Sequence, residues 1–412
     1  MRWRGARGRA IFPPPASRLP PPALPYLDHA ATTPLREAAL DAMLPYLREH
    51  FGNASSVHGP GRRARVAVEG ARRDVAAVLG CEPGEVVFTS GGTEADNAAL
   101  RGVLTGAALR ETGRPGLVTS AAEHEAVRQP ARRLAADGHP VTVLTPGPTG
   151  AVAPGAVEAA LDETVGLVSL MTVNNEVGTM TAVAEVARRA HAAGALAHTD
   201  AVQAAGLLPL GVDGLGVDLL SLSGHKVGGP KGVGALYVRA GTPFDALVSG
   251  GAQERRRRGG TENVAGVVGF ARALTLAEAE REQHAARLRG LQGRLARQLT
   301  GAFGERLRLN TPLESGAPVA PHILNVSFRP GAAGPLDGEM LIAGLDLAGV
   351  AVSAGSACTS GALEPSPVLL AIGVDRDTAS ATVRFSLGRS TTEADLDAAV
   401  SALVALVARM GP

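Results

Sequence analysis

Lys226 closes an apolar run in the stretch Ser221-Leu222-Ser223-Gly224-His225-Lys226, where small hydrogen-bonding residues surround it. A lysine so placed can be desolvated, which lowers its pKa and makes its amine a nucleophile able to form a Schiff base with a carbonyl. Other reactive groups stand at comparable places. Ser90-Gly91-Gly92-Thr93-Glu94 follows the run 86–89, and small residues opening a helix there would turn backbone N–H groups and the positive end of the helix dipole toward an anion such as phosphate. Glu123-His124 follows 117–120, Asn174-Asn175-Glu176 follows 165–173, and Asp200 follows 195–199. Asp200 alone could cap a helix or ligate a metal, but no second carboxylate or histidine stands nearby at ligand spacing. An acid, a reactive lysine and a phosphate cradle are together what pyridoxal phosphate requires. The carboxylate keeps the pyridine nitrogen protonated so that the ring can act as an electron sink, and the lysine holds the aldehyde. His124 adds an imidazole that could stack on the ring or move protons.

The elements that must position these groups follow from the hydropathy pattern. From Glu85 onward, short apolar runs alternate with alanine-rich helical stretches, the pattern of a parallel sheet covered by helices on both faces. Five runs deliver polar groups at their carboxyl ends, the edge where open α/β sheets bind ligands. With 412 residues and 45% hydrophobic composition, the chain can hold two or three domains and bury a large core. Residues 393–410 repeat apolar positions at helical spacing and read as core of a smaller domain.

Composition narrows the function further. Cys81 and Cys358 are the only cysteines, too few for a disulfide framework, which points to a reducing cytoplasm. Cys81 reads as a buried, inert thiol. Cys358 lies among serine, glycine, alanine and threonine, which predicts an exposed, mobile loop. No apolar run approaches the ~18 residues of a membrane helix. Residues 1–25 carry five arginines, no acid and two proline triplets, and read as an extended tail that is dispensable or wrongly included at the start. Removing those five from the 40 basic residues leaves 35 against 39 acidic ones, so the folded part offers no electrostatic case for nucleic acid. The run Arg255 to Arg258 could grip RNA, but so short a run reads better as a solvated loop adding positive potential near the cofactor.

Several motifs in order give a resemblance that spans the chain from about Tyr26 to its end. Tyr26-Leu27-Asp28-His29-Ala30-Ala31-Thr32-Thr33-Pro34, Gly52-Asn53-Ala54-Ser55-Ser56-Val57-His58, Phe88-Thr89-Ser90-Gly91-Gly92-Thr93-Glu94, Ser223-Gly224-His225-Lys226, Arg258-Gly259-Gly260-Thr261-Glu262-Asn263 and Ser353-Ala354-Gly355-Ser356-Ala357-Cys358-Thr359-Ser360 resemble the cysteine desulfurases of the NifS and IscS group. Gly92 where alanine is common and Ala54 where proline is common remove no functional group. The resemblance implies an α/β, fold-type I pyridoxal-phosphate-dependent transferase, with a mainly parallel sheet in a large domain (41–274) and a smaller α+β C-terminal domain (275–412). Residues 26–40 would pack with the small domain. It further implies a homodimer that takes sulfur from L-cysteine and releases L-alanine.

By the same resemblance, Lys226 is the Schiff-base lysine, Asp200 the partner of the pyridine nitrogen and His124 the stacking residue and proton shuttle. Asn175 and Gln203 would hydrogen-bond the ring oxygen. Gly92, Thr93, Ser223 and His225 would hold the phosphate, joined by Thr261 from the second subunit. Asn53, Asn175 and Arg384 would bind substrate, Arg384 by a bidentate pair with its carboxylate. Cys358 would attack the substrate sulfur and leave as a persulfide. The long segment after it resembles the desulfurases that hand sulfur to a protein acceptor, an iron–sulfur scaffold or a tRNA-thiolation enzyme. Two other readings stand beside an active desulfurase: another lyase on the same fold, such as a selenocysteine lyase, and a sulfur-relay subunit whose main role is to bind a partner.

Overall fold

The computed structural model describes residues 24–332, 334–354 and 365–411. The expected N-terminal tail up to residue 23 and the expected Cys358 loop lie outside the described residues. Seven strands build the main sheet: β1 Val86–Thr89, β2 Gly116–Ser120, β3 Val141–Leu144, β4 Val165–Ser169, β5 Leu196–Asp200, β6 Leu219–Ser223 and β7 Gly234–Val238. Their spatial order is β1-β7-β6-β5-β4-β2-β3. β2 runs parallel to β3 and β4, β4 to β5, and β5 to β6. β7 is antiparallel to both β6 and β1, so β1 points the same way as the parallel strands. The carboxyl ends of β1, β2, β4, β5 and β6 therefore share one edge.

β2, β4 and β6 are buried along their whole length and β5 all but its first residue, as strands covered by helices on both faces must be. The edge strand β3 is half-exposed. Neither β3 nor the reversed β7 was among the runs expected to carry site residues. The reversal has a plain cause: residues 224–233 are too few for the dozen or more that a parallel crossover needs. Strand ends also differ slightly from expectation. β4 stops at Ser169 rather than 173, and β6 runs on to Ser223, after which the short 3-10 turn Gly224–Lys226 carries the lysine.

Three further strands, β8 Leu307–Leu309, β9 Ile323–Phe328 and β10 Thr382–Ser386, form a small antiparallel sheet in the order β10-β9-β8. The helix Glu393–Met410 covers it with Leu396, Ala399, Leu403 and Leu406. Each fully buried leucine there contributes about 1.5–3 kcal/mol. The 40-residue helix Val264–Phe303 joins the two cores. It gives Phe270, Leu274 and Ala277 to the core around the main sheet, and Leu288, Leu295 and Leu299 to the second. The N-terminal segment also touches both: Tyr26 and Asp28 bridge to Ala351 and Ser386, whereas Ala30 and Ala39 pack in the main core. Among the described residues, no helix is long and apolar enough to cross a membrane.

Candidate active site

The shared strand edge encloses a cavity of about 270 Å³. Gly92, Thr93, His124, Asn175, Asp200, Gln203, Ser223, His225 and Lys226, all singled out from sequence, line it together with Ala31, Asp96 and Met171. β1 delivers the helix Gly92–Leu104, whose first turn faces the cavity. Gly91 sits at φ 150°, and a Cβ on Gly92 would come within 2.8 Å of the Val202 side chain. Gly91 is thus in a conformation that favours glycine, whereas an alanine at 92 would fit only with a small shift of the Val202 side chain. Glu94 is turned away: it accepts from Ser90 N–H at 2.9 Å and pairs with Arg258 at 2.9 Å. The anion-facing end keeps the hydroxyls of Thr93 and Ser223 and the imidazole of His225, whose Nδ1 lies 3.1 Å from the Thr32 hydroxyl.

Lys226 sits between two environments. Its Nζ donates to the carbonyls of Ala31 at 2.8 Å and of Ala30. Burial, and then the Arg384 charge, bring its pKa down to about 8. Asp200 at the end of β5 is buried and accepts from Val202 N–H at 2.9 Å. His124 caps the helix Glu125–Ala136, its Nδ1 accepting from Ala126 N–H at 3.1 Å. Its proton in the neutral form therefore resides on Nε2. Burial holds His124 below its ordinary pKa, so that neutral form prevails. These donors, the glycine turn and the paired lysine and acid fit pyridoxal phosphate. Thr93, Ser223 and His225 would hold its phosphate, Asp200 its pyridine nitrogen and Lys226 its aldehyde.

Three predicted residues stand elsewhere. Arg384, on β10, is buried one contact away: Nη1 donates to the Asn175 carbonyl and Nη2 to Asp28 Oδ1, both at 2.8 Å. Asn53 and Thr261 are exposed and line no part of the cavity in their own chain. Asn53 Oδ1 accepts from Ser55 N–H at 2.8 Å, and Gln253, which accepts from Gly260 N–H, approaches the Ser55 hydroxyl at 3.5 Å. The two predicted residues thus belong to one neighbourhood of the surface. The arginine run is mostly committed to its own chain: Arg255 pairs with Glu69, Arg257 donates to the Gly84 carbonyl and Arg258 pairs with Glu94. Cys81 is half-buried, and burial and then Glu85 push its thiol up to about 12, which leaves it protonated and inert.

The family model described as aminotransferase class-V matches residues 25–399. The chain belongs to the class-V aminotransferase family. It is 43% identical over 385 residues to cysteine desulfurase IscS of Dictyoglomus turgidum, covering 93% of this chain and 95% of that one. A solved NifS-like protein superposes with a TM-score of 0.84 at 36% identity, covering 93% and 99% of the two chains. A structure titled SspA in complex with cysteine gives 0.75 at 32% identity, covering 88% and 98%.

Sequence reasoning about this class-V site missed groups that reach it through contacts distant in the chain. Asp96 and Glu123 are buried beside Asp200. Burial, with the Asp200 charge adding to it, pushes both carboxyls well above the usual range. Asp96 Oδ1 lies 3.6 Å from Nε2 of His198, which is itself held between Ser169 and Ser221 at 2.8 and 3.0 Å. Glu176, a neighbour of Asn175, accepts from the Ser366 hydroxyl, and Ser366 also caps the helix Pro367–Ala371. Ser353 bridges to Arg384 through backbone hydrogen bonds of 2.6 and 3.3 Å. Ser353 and Ser366, described on either side of the residues that include Cys358, thus contact Arg384 and Glu176. Only the polar residues Glu123-His124 and 174–176, each following an apolar run, signalled any of this.

Proposed function

We propose that this protein is a cysteine desulfurase that uses pyridoxal phosphate to take sulfur from L-cysteine, releasing L-alanine and holding the sulfur as a persulfide on Cys358. The observation that carries this reading is the convergence of Lys226, Asp200 and His124 in one cavity, with the Arg384 guanidinium one contact away. When bound, pyridoxal phosphate supplies the sink for the electron pair of the breaking C–S bond. The chain's own residues do the rest. Arg384, oriented by Asp28 and Asn175, would take the substrate carboxylate in bidentate fashion. Lys226 and the Nε2–H of His124 can hold and move protons at the substrate carbons. The Cys358 thiolate would attack the substrate sulfur, forming an S–S bond as the C–S bond breaks, and a proton delivered to carbon completes alanine.

Asn53 and Thr261 support a homodimer in which Thr261 of one copy completes the phosphate site of the other. Near them Phe51 and Val57 are more than four-fifths exposed, apolar surface that marks an interface. The sulfur would pass to an iron–sulfur scaffold or a tRNA-thiolation enzyme in the cytoplasm. Incubation with L-cysteine and a reductant should give sulfide and alanine in equal amounts. Cys358→Ala should lower turnover by roughly 10²-fold or more. Full desulfurase turnover in that variant would rule out the persulfide mechanism.

A further inference from the structure

Beside the cofactor cavity lies a larger one of about 550 Å³, opening between residues 33–37, the long helix and residues 387–390. Gln203 and Lys226 stand in the wall shared by the two cavities. His322, 4% exposed, lines the larger one. The hydrogen bonds fix the orientation of the Gln203 amide. Its Nε2 donates to the Ala30 carbonyl at 2.9 Å, and a carbonyl can only accept, so that end is the nitrogen. Oε1 is then the atom 3.3 Å from His322 Nε2. An amide oxygen also only accepts, so His322 carries its proton on Nε2. Its Nδ1 has no protein partner.

We infer that His322 is a positioning residue: its Nε2–H pins the Gln203 oxygen and thereby turns the amide nitrogen toward Ala30 and the cofactor cavity. The second N–H of that nitrogen is the donor a bound ring oxygen would meet. Without His322 the Ala30 carbonyl alone holds the amide, so its nitrogen swings more freely and meets a ring oxygen less well. Burial keeps the imidazole neutral, at about 3, so the single-donor arrangement holds throughout the neutral range. The inference rests on the pyridoxal phosphate reading above.

The test is a double-mutant cycle on the loaded protein, with His322→Phe and His322→Gln made alone and in a Gln203→Ala background. The readouts are the rate of cofactor release and the pH midpoint of the bound cofactor's visible absorbance. His322→Phe should speed release by up to about tenfold, the worth of one hydrogen bond, and shift the midpoint. His322→Gln, whose amide N–H can take the place of Nε2–H, should stay within about twofold of the parent. In the Gln203→Ala background, His322→Phe should add nothing. Equal acceleration in both backgrounds, or none in the parent, overturns the inference and leaves His322 as packing alone. Should His322→Phe not fold, His322→Leu takes its place in the cycle, with the same changes in release rate and midpoint expected. A parent protein that never acquires the visible band would instead overturn the cofactor reading, and the inference with it.

Discussion

Lys226 is lowered to about 8 chiefly because it is buried, with Arg384 adding to the effect and Asp200 and Asp28 opposing it. Its free-base fraction therefore rises as pH climbs through about 8. The rate at which cofactor-free protein captures pyridoxal phosphate should accordingly increase from pH 6.5 to 9 and then level off. A stopped-flow absorbance series that keeps climbing past pH 10 would show a solvated lysine at its ordinary pKa instead. Lys226, Asp200 and His124 could be found in the sequence because each follows an apolar run, and the end of a strand is visible in one dimension. The carbonyls of Ala30 and Ala31 that hold the lysine could not, since a backbone oxygen carries no sequence signature. Asp96 and His322 were equally silent: their partners lie 102 and 119 residues away in the chain.

At the scale of elements, the segment that ends in Thr261 depends on one buried ion pair. Glu254, Arg255 and Arg256 hold φ of 45°, 55° and 65°, unusual for residues with side chains, at a cost of order 1–3 kcal/mol each. Glu254 is fixed there by the Arg72 guanidinium at 2.6 and 2.8 Å and by Phe88 N–H at 2.9 Å. Arg72→Ala would leave the Glu254 charge buried and unpaired, so urea denaturation should show a loss of about 3–5 kcal/mol. A loss below about 1 kcal/mol would mean that the segment is held some other way. The arginine run looked like a solvated basic loop because sequence shows charge but not its partner. The five site-bearing strands were readable from hydropathy, whereas the reversal of β7 follows from connection length and pairing.

At the scale of the whole molecule, the candidate site draws its residues from the main sheet while Arg384 comes from the small one. The exposed Phe51 and Val57 lie close in sequence to Asn53, where the proposed copy-to-copy contact would fall. Phe51→Asp with Val57→Asp should shift sedimentation equilibrium toward monomer and weaken cofactor retention in parallel. Unchanged association would move the interface elsewhere.

The helix Val264–Phe303 is about 60 Å long. Because it is one continuous rod seated in both cores, it acts as a splint: the two halves cannot swing apart without bending it or sliding it within one core. Substrate recognition must then be accommodated by short segments near the cavity mouth. Scattering profiles with and without L-cysteine should superimpose, even where local amide exchange changes.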